Sequence, residues 1–258
     1  MITGDEAATS DAAEGFDLSG TMPLYGDPRP ITAATHRNHA ILPGPDDYSF
    51  AAKTALVPIT VDEFAAASLD YPIVFFGPER RTFVVTGLKA ERNLFVDADG
   101  KYSAGAYIPA YLRRYPFAFA RDSEDRLRIL CLDQASPRVG TIADEGARPL
   151  FDGDQPAEIT NHALAFCQEM EAAETRTATL LTVLDDHGLL EPQQAQQTTN
   201  GASTLLLDYA TIDPAKLEAL ADEQFREIRR TGALAAIHAQ ILSAGNWSKL
   251  QVRSEQEA

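Results

Sequence analysis

Residues 72–88, PIVFFGPERRTFVVTGL, place two apolar runs on either side of a short polar turn. The first run, PIVFFG, is typical of a buried strand, and it begins with Pro72, where a missing N–H weakens a ladder least. The second run, TFVVTGL, follows directly after the turn PERR. Two short apolar runs joined in this way predict a β-hairpin.

The sequence on both sides of this hairpin continues the extended pattern. Upstream, ALVPIT is a short apolar strand, and VDEFAAASLDY is a brief helix with its cap near Thr60 or Asp62. Downstream, Asp-Gly at 99–100 indicates a turn between two extended segments. YPFAFA and LRILCLD flank the charged loop RDSEDR, so we expect a second hairpin. These segments together predict a mainly antiparallel sheet across residues 55–133.

The second half of the chain changes to a helical period. Apolar residues recur every three to four positions between 166 and 184, and Gly188 stands where a C-terminal cap belongs. The glutamine-rich stretch 192–203, PQQAQQTTNGAS, is typical of a loop. TLLLDY, at 204–209, is typical of another strand, which we expect to join the sheet.

Two further helices are predicted near the C-terminus, and the second is marked by its apolar residues Leu234, Ile237, Ile241 and Leu242. Asp213 and Pro214 open the first in the favoured order of cap and then proline, and Gly232 ends it. Its predicted buried stripe is Leu217, Leu220, Ala221, Phe225 and Ile228. Strands first and helices later predict an α+β fold, with a mainly antiparallel sheet in the first half and the helices of the second half packed on it.

The domain organisation follows from composition. Residues 1–20 are small, polar and acidic, so we expect a disordered acidic tail. Residues 21–252 are predicted to form a single α+β domain, in which the pattern switches from period two to a 3.6-residue period near residue 155.

The charge balance excludes several classes of partner. The 38 acidic residues against 22 basic residues give a formal net charge of −16, which repels nucleic acid and anionic lipid surfaces. We expect no membrane insertion, because no apolar run is long enough to span a bilayer. The chain shows no secretory signal, and its only cysteines, Cys131 and Cys167, read as reduced thiols. A cytoplasmic location is therefore expected.

The sequence contains no established catalytic or cofactor motif. GxSxG, HExxH, GxGxxG and the P-loop are missing, so we predict no catalytic residue and no cofactor. His36 and His39 have a metal-ligand spacing but no third ligand, and DADG and DGD lack the terminal acid of a calcium loop, so no metal is predicted. His238 is interpreted as a hydrogen-bonded histidine in the core.

The densest aromatic and cationic cluster of the chain is YIPAYLRRYPF, residues 107–117. Arginine beside tyrosine suits recognition of a carboxylate or phosphate. We expect one arginine, with Arg114 favoured, to face a pocket and the other, Arg113, to face carboxylates of the domain. Internal neutralisation of both arginines at a structural corner is the alternative. The candidate ligand-binding residues are Tyr107, Tyr111, Arg113, Arg114 and Tyr115.

Several stretches in sequence order resemble one bacterial family. YPIVF, NLFVDADGKY, YIPAYLRRYPF, LFD and GALAAIHAQILSAGNWSKL are similar to the SapC family over roughly residues 22–251. The resemblance implies an association with surface-layer proteins and their export. It also implies work on imported or modified small molecules or peptides, because relatives are often encoded beside TonB-dependent receptors. It carries over no catalytic residue.

Three hypotheses about function follow. The first is a non-catalytic cytoplasmic accessory protein that binds a peptide, an anionic small molecule or a partner protein, linked to surface-layer export or nutrient uptake. The second is an enzyme whose site is built from dispersed residues, with Tyr111, Arg114, Tyr115 and His238 as first suspects. The third is a structural surface-layer subunit, which the missing export signal disfavours.

Overall fold

The computed structural model describes residues 18–19, 24–44, 46–122, 128–199 and 202–256. Its contacts divide the chain into two compact units. The first unit contains residues up to 43 together with 116–164, and the second contains 44–115 together with 165–258. Both units are built on antiparallel sheets, and most of the helices follow in the second half of the chain, which confirms the predicted α+β class.

The described residues form many short strands and helices, together with one long helix and one long hairpin. The strands are β1 Leu18–Ser19, β2 Pro28–Pro30, β3 His39–Ile41, β4 Leu56–Pro58, β5 Ile73–Phe76, β6 Arg81–Val85, β7 Phe117–Asp122, β8 Arg128–Asp133, β9 Val139–Thr141, β10 Arg148–Pro149, β11 Phe151–Asp152, β12 Gln155–Pro156, β13 Leu190–Thr199 and β14 Ala202–Ile212. The α-helices are α1 Ala33–His36, α2 Phe64–Ala67, α3 Ala110–Arg113, α4 Glu158–Asp186, α5 Pro214–Glu218, α6 Asp222–Thr231, α7 Leu234–Ser243 and α8 Asn246–Gln256. Two short 3₁₀ helices lie at Ser49–Ala51 and Val61–Glu63, and the second of them, which begins after Thr60, runs directly into α2.

The first unit packs two small sheets around an apolar cluster. One sheet has the order β1-β7-β8-β2 and the other β10-β3-β9. The predicted hairpin of YPFAFA and LRILCLD is confirmed as β7 and β8, with Phe117 opposite Leu132. The buried residues of the cluster come from strands and loops that are distant in sequence: Ile41, Phe117, Leu132, Leu150 and Phe151.

The second unit contains a five-stranded sheet of order β13-β14-β5-β6-β4. The hairpin predicted from residues 72–88 is confirmed as β5 and β6, with Val74 opposite Phe83. The predicted strand at 204–209 lies within β14 and joins this sheet. It does so through a single pair, Ala210 with Phe75, so the two strands diverge on either side of that pair.

Helix α7 closes the gap between these diverging strands with side chains. Gln240, which is 1% exposed, donates to Ile73 O at 2.9 Å and accepts from Ile212 N at 3.1 Å. Ser243 accepts from Ile73 N at 3.0 Å. Side chains of α7 therefore bond to backbone groups of β14 and β5 that do not pair with each other, and this satisfies buried polar groups that would otherwise lack a partner.

Helix α8 is held by a similar contact. The buried Asn246 donates to Ser68 O at 2.7 Å and to Tyr71 O at 2.9 Å, just before β5 begins. Gln240, Ser243 and Asn246 are spaced three residues apart in AIHAQILSAGNW. This spacing serves to dock two helices on the backbone around β5.

Several predictions about elements were wrong. Strands from residues 55–133 lie in separate sheets and not in one, because β7 and β8 pair within the first unit. The predicted loop at 192–203 is largely the hairpin of β13 and β14. The helix predicted from Pro214 to Gly232 is two helices, α5 and α6, and the break turns Phe225 outward, so that it is 40% exposed.

Other predictions about organisation stay predictions. Apart from β1, the tail at residues 1–20 lies outside the described residues. The prediction that residues 21–252 form one domain also stays a prediction.

Candidate functional site

The segment Tyr107–Tyr115 begins with an extended approach and then makes one helical turn. Pro109 is the N-cap of α3 and Arg114 its C-cap, with Pro116 directly beyond Tyr115. The two prolines restrict the helix to a single turn because neither can continue it. A helical turn directs consecutive side chains about 100° apart, so Arg113 and Arg114 point in different directions.

A buried carboxylate anchors the start of this turn. One oxygen of Glu63 accepts from Ala110 N at 2.7 Å and from the Tyr107 hydroxyl at 3.0 Å. Its other oxygen accepts from Thr60 N at 2.8 Å and from the Thr60 hydroxyl at 3.1 Å. Glu63 is 6% exposed and completes a capping box with Thr60, which confirms the predicted cap. One side chain therefore caps one helix and fixes the entry to another.

The backbone of Tyr107 is tied down from a second direction. Its N–H donates to Asp70 Oδ2 at 2.8 Å, and its carbonyl accepts from the hydroxyl of the fully buried Tyr71. Tyr71 also shares a 2.9 Å hydrogen bond with the hydroxyl of Tyr102. Burial and the neighbouring Tyr102 raise the pKa of Tyr71, so this network holds neutral hydroxyls. Both backbone groups of Tyr107 are therefore bonded to side chains of the same unit.

Arg113 is the more exposed of the two arginines. Its guanidinium carbon lies 5.4 Å from the ring centroid of Phe166 and 5.9 Å from that of Tyr107. Its Nε donates to Ile108 O at 3.0 Å, and one Nη contacts the Tyr107 hydroxyl at 3.4 Å. Within the described part of the chain, no carboxylate forms an ion pair with Arg113. The expectation that Arg113 faces carboxylates of the domain is therefore wrong.

Arg114 lies deeper than Arg113 and covers another ring. Its guanidinium carbon is 4.3 Å from the ring centroid of the buried Tyr111. Burial raises the pKa of the Tyr111 hydroxyl, and Arg114 partly opposes this increase. Burial also raises the pKa of the Cys167 thiol to about 11, again opposed by Arg114. Whether Arg114 also contacts a ligand stays a prediction.

The remaining tyrosines support the segment. The ring of Tyr115 stacks on Phe50, with centroids 3.9 Å apart and planes 14° apart. Burial, followed by the Glu63 carboxylate, raises the pKa of Tyr107 to about 12. Tyrosine and thiol groups with raised pKa values are neutral at pH 7, and the neutral hydroxyl of Tyr107 donates to Glu63.

The five predicted site residues thus belong to one segment. Other residues that contact this segment were not identified from the sequence: Glu63, Phe50 and Phe166. Glu63 had a detectable signal, because Thr60 and Glu63 have the spacing of a capping box. Phe166 and Phe50 had none, because stacking across such sequence separations depends on the tertiary fold.

The histidines have structural contacts. His238 was predicted to lie in the core, but it is exposed on α7 and bonded to Leu234 O at 2.7 Å. His36 is buried in the first unit, 4.9 Å from the ring centroid of His39 and 2.7 Å from the amide nitrogen of Gln134. Burial and the neighbouring His39 lower the pKa of His36.

The acidic stretches considered as calcium loops form turns. In DADG, Asp97 Oδ1 accepts from the backbone N–H groups of Asp99 and Lys101, both at 2.9 Å. DGD lies at the turn between β11 and β12, and its Asp154 forms an ion pair with Arg37. Within the described ranges, no three potential metal ligands come together. Both cysteines are buried and neither forms a disulfide.

The fold and the segment define an α+β protein in which arginines and aromatic rings lie together on one segment. A family model named SapC matches residues 31–250, which is most of the chain, so the protein belongs to the SapC family. No match was found among curated proteins or among solved structures. None of the described helices is both long and apolar enough to cross a bilayer.

Proposed function

We propose that this SapC-family protein is a non-catalytic accessory protein that binds a carboxylate-bearing peptide or small molecule at the segment Tyr107–Tyr115. We further propose that it acts in the cytoplasm, in surface-layer export or nutrient uptake. The observation that carries the binding proposal is Arg113, whose guanidinium lies against two aromatic rings while its side chain stays exposed.

Ring contacts prepare an arginine for recognition. Contact with Tyr107 and Phe166 restricts the rotamers of Arg113, so less entropy is lost when its outer N–H groups meet a ligand. Among the described residues, its Nε and one Nη have partners, which leaves the other Nη for an incoming oxygen. The hydrogen bonds from Glu63 and Asp70 hold the segment beneath it. These contacts support a preformed anion site.

The charge of the chain favours a carboxylate over a phosphate. A formal net charge of −16 opposes the approach of any anion, and it opposes a doubly charged group more strongly than a singly charged one. A planar carboxylate also matches the planar donors of a guanidinium. The proposed ligand therefore carries one carboxylate.

The proposal is tested by calorimetric titration with N-acetyl dipeptides and aromatic carboxylates, each paired with its neutral amide. At least one carboxylate should bind more tightly than its amide. Arg113→Gln should weaken the binding of that carboxylate about tenfold or more, since hydrogen bonds between charged groups are stronger than those between neutral groups. Arg226→Gln is the matched control, because Arg226 is exposed on α6 and pairs with Glu223. Equal binding of acids and amides across the panel would refute the proposal.

The alternative of an enzyme with a dispersed site predicts a different result. Metal analysis and an absorbance scan of the purified protein would detect a bound metal or chromophoric cofactor. Either finding would replace the binding proposal by a catalytic one.

A further inference from the structure

A separate cleft of about 420 Å³ lies in the unit formed by residues 44–115 and 165–258. Its walls are mainly apolar and come from the start of α2, the middle of α4 and the first turn of α7. The residues that define them are Phe64, Leu180, Val183, Ala233 and Ala236. This volume is within the range of small-molecule sites, which hold about 300–1,000 Å³.

The cleft is held open by a fixed contact between two of its walls. Thr177 on α4 accepts from Val61 N at 2.8 Å and donates to Ala173 O at 2.8 Å. Leu180, one turn further along the helix, is 4% exposed and lines the cleft. The spacing between α4 and the residues before α2 is therefore set by the protein itself.

One opposite-charge pair lies at the rim of the cleft. Arg176 donates from Nε to Asp62 Oδ1 at 3.1 Å and from Nη2 to Asp62 Oδ2 at 2.5 Å. Both side chains are nearly half exposed, at 48% and 44%. A guanidinium has five N–H donors and a carboxylate has about four acceptor sites, so each group can bind a ligand while the pair stays intact.

We propose that this cleft binds a free α-amino acid with an apolar side chain. The side chain would fill the apolar walls, the ammonium group would meet Asp62, and the carboxylate would meet the remaining donors of Arg176. A zwitterionic amino acid carries an ammonium group beside a carboxylate, which complements the neighbouring carboxylate and guanidinium of the rim. It also has no net charge, so the overall charge of −16 does not repel it.

The proposal does not depend on the segment Tyr107–Tyr115, because it uses different residues. Titration of the full chain with L-leucine and L-phenylalanine tests it directly. We expect binding of at least one of them, and a loss of tenfold or more for the N-acetyl derivative and for the amide, since each derivative removes one charge. No binding at about 10 mM, roughly tenfold above the upper end of ordinary KM values, about 1 mM, or binding of a derivative as tight as that of the amino acid, would overturn the proposal.

Variants locate the bound amino acid. Arg176→Gln and Asp62→Asn should each weaken it about tenfold, whereas Arg226→Gln should have no effect, because Arg226 lies outside the cleft. Ala235→Leu adds bulk to the cleft wall and should abolish binding. Ala178→Leu adds the same bulk at an exposed position of α4 outside the cleft, so it should leave binding unchanged. Unchanged binding in Ala235→Leu would place the amino acid elsewhere and contradict the proposal.

Discussion

Replacing Glu63 by alanine should destabilise the protein strongly, because its carboxylate satisfies donors from two helix starts. The change leaves the N–H groups of Thr60 and Ala110 without their acceptor, and both residues are buried. An unsatisfied buried donor costs roughly 1–3 kcal/mol, so two of them cost about 4 kcal/mol together. In a chain of this size, that loss corresponds to a fall in the melting temperature of about 10 °C.

The measurement is urea unfolding of the Glu63→Ala variant beside the wild type, with thermal melting as a second readout. Glu218→Ala is the matched control, because Glu218 is exposed on α5, and it should cost less than about 0.5 kcal/mol. Glu63→Gln should fall between the two, since its amide keeps one acceptor but turns an NH₂ group toward donors. A loss below about 1 kcal/mol for Glu63→Ala would refute the role of this carboxylate as an anchor.

Three further predictions follow. Asn246→Ala should cost about 2–3 kcal/mol in urea unfolding, because Ser68 O and Tyr71 O lose their shared donor; an unchanged midpoint would contradict this role. The pKa of His36 is lowered on folding from an ordinary value of about 6.5, so stability should be complete above pH 6.5 and decrease as the pH falls below it. His36→Gln should remove part of that dependence and His162→Gln, at an exposed position, should not. Deletion of residues 1–17, the part of the predicted tail that precedes β1, should leave the melting temperature nearly unchanged, and a drop of several degrees would contradict the expectation that this part is dispensable.

Sequence reasoning identified strands that follow the simple patterns. The sequence of β5 and β6 has two continuous apolar runs and a short polar turn, and the structure contains the antiparallel hairpin that this pattern predicts. The strand β13 could not be identified in this way, because its glutamine-rich sequence has no alternation of apolar and polar residues. It pairs with β14 through backbone hydrogen bonds, and such pairing does not require apolar and polar residues to alternate in the sequence.

The buried face of α7 shows why the role of His238 was misassigned. Apolar residues such as Leu242 suggested the face that packs on the sheet, but Leu242 is 75% exposed. The face that docks carries Ile237, Gln240 and Ser243, and two of these are polar because they satisfy the backbone of β5 and β14. A hydrophobic pattern cannot detect a buried face whose task is hydrogen bonding.

The candidate segment was identified by its composition, but its arrangement required the fold. Three tyrosines and two adjacent arginines are visible in the sequence, whereas the ring that covers Arg113 comes from Phe166, more than fifty positions later. The exposure of Arg113 and the deeper position of Arg114 follow from the single helical turn between Pro109 and Pro116.

The most direct test of the binding proposal is a comparison of wild type and Arg113→Lys with one carboxylate from the panel and its amide. Lysine keeps the charge but loses the planar donors and the ring contact of the guanidinium. The proposal predicts that the preference for the carboxylate over the amide, measured by calorimetry, falls about tenfold in the variant. The same preference in wild type and Arg113→Lys would contradict recognition at Arg113.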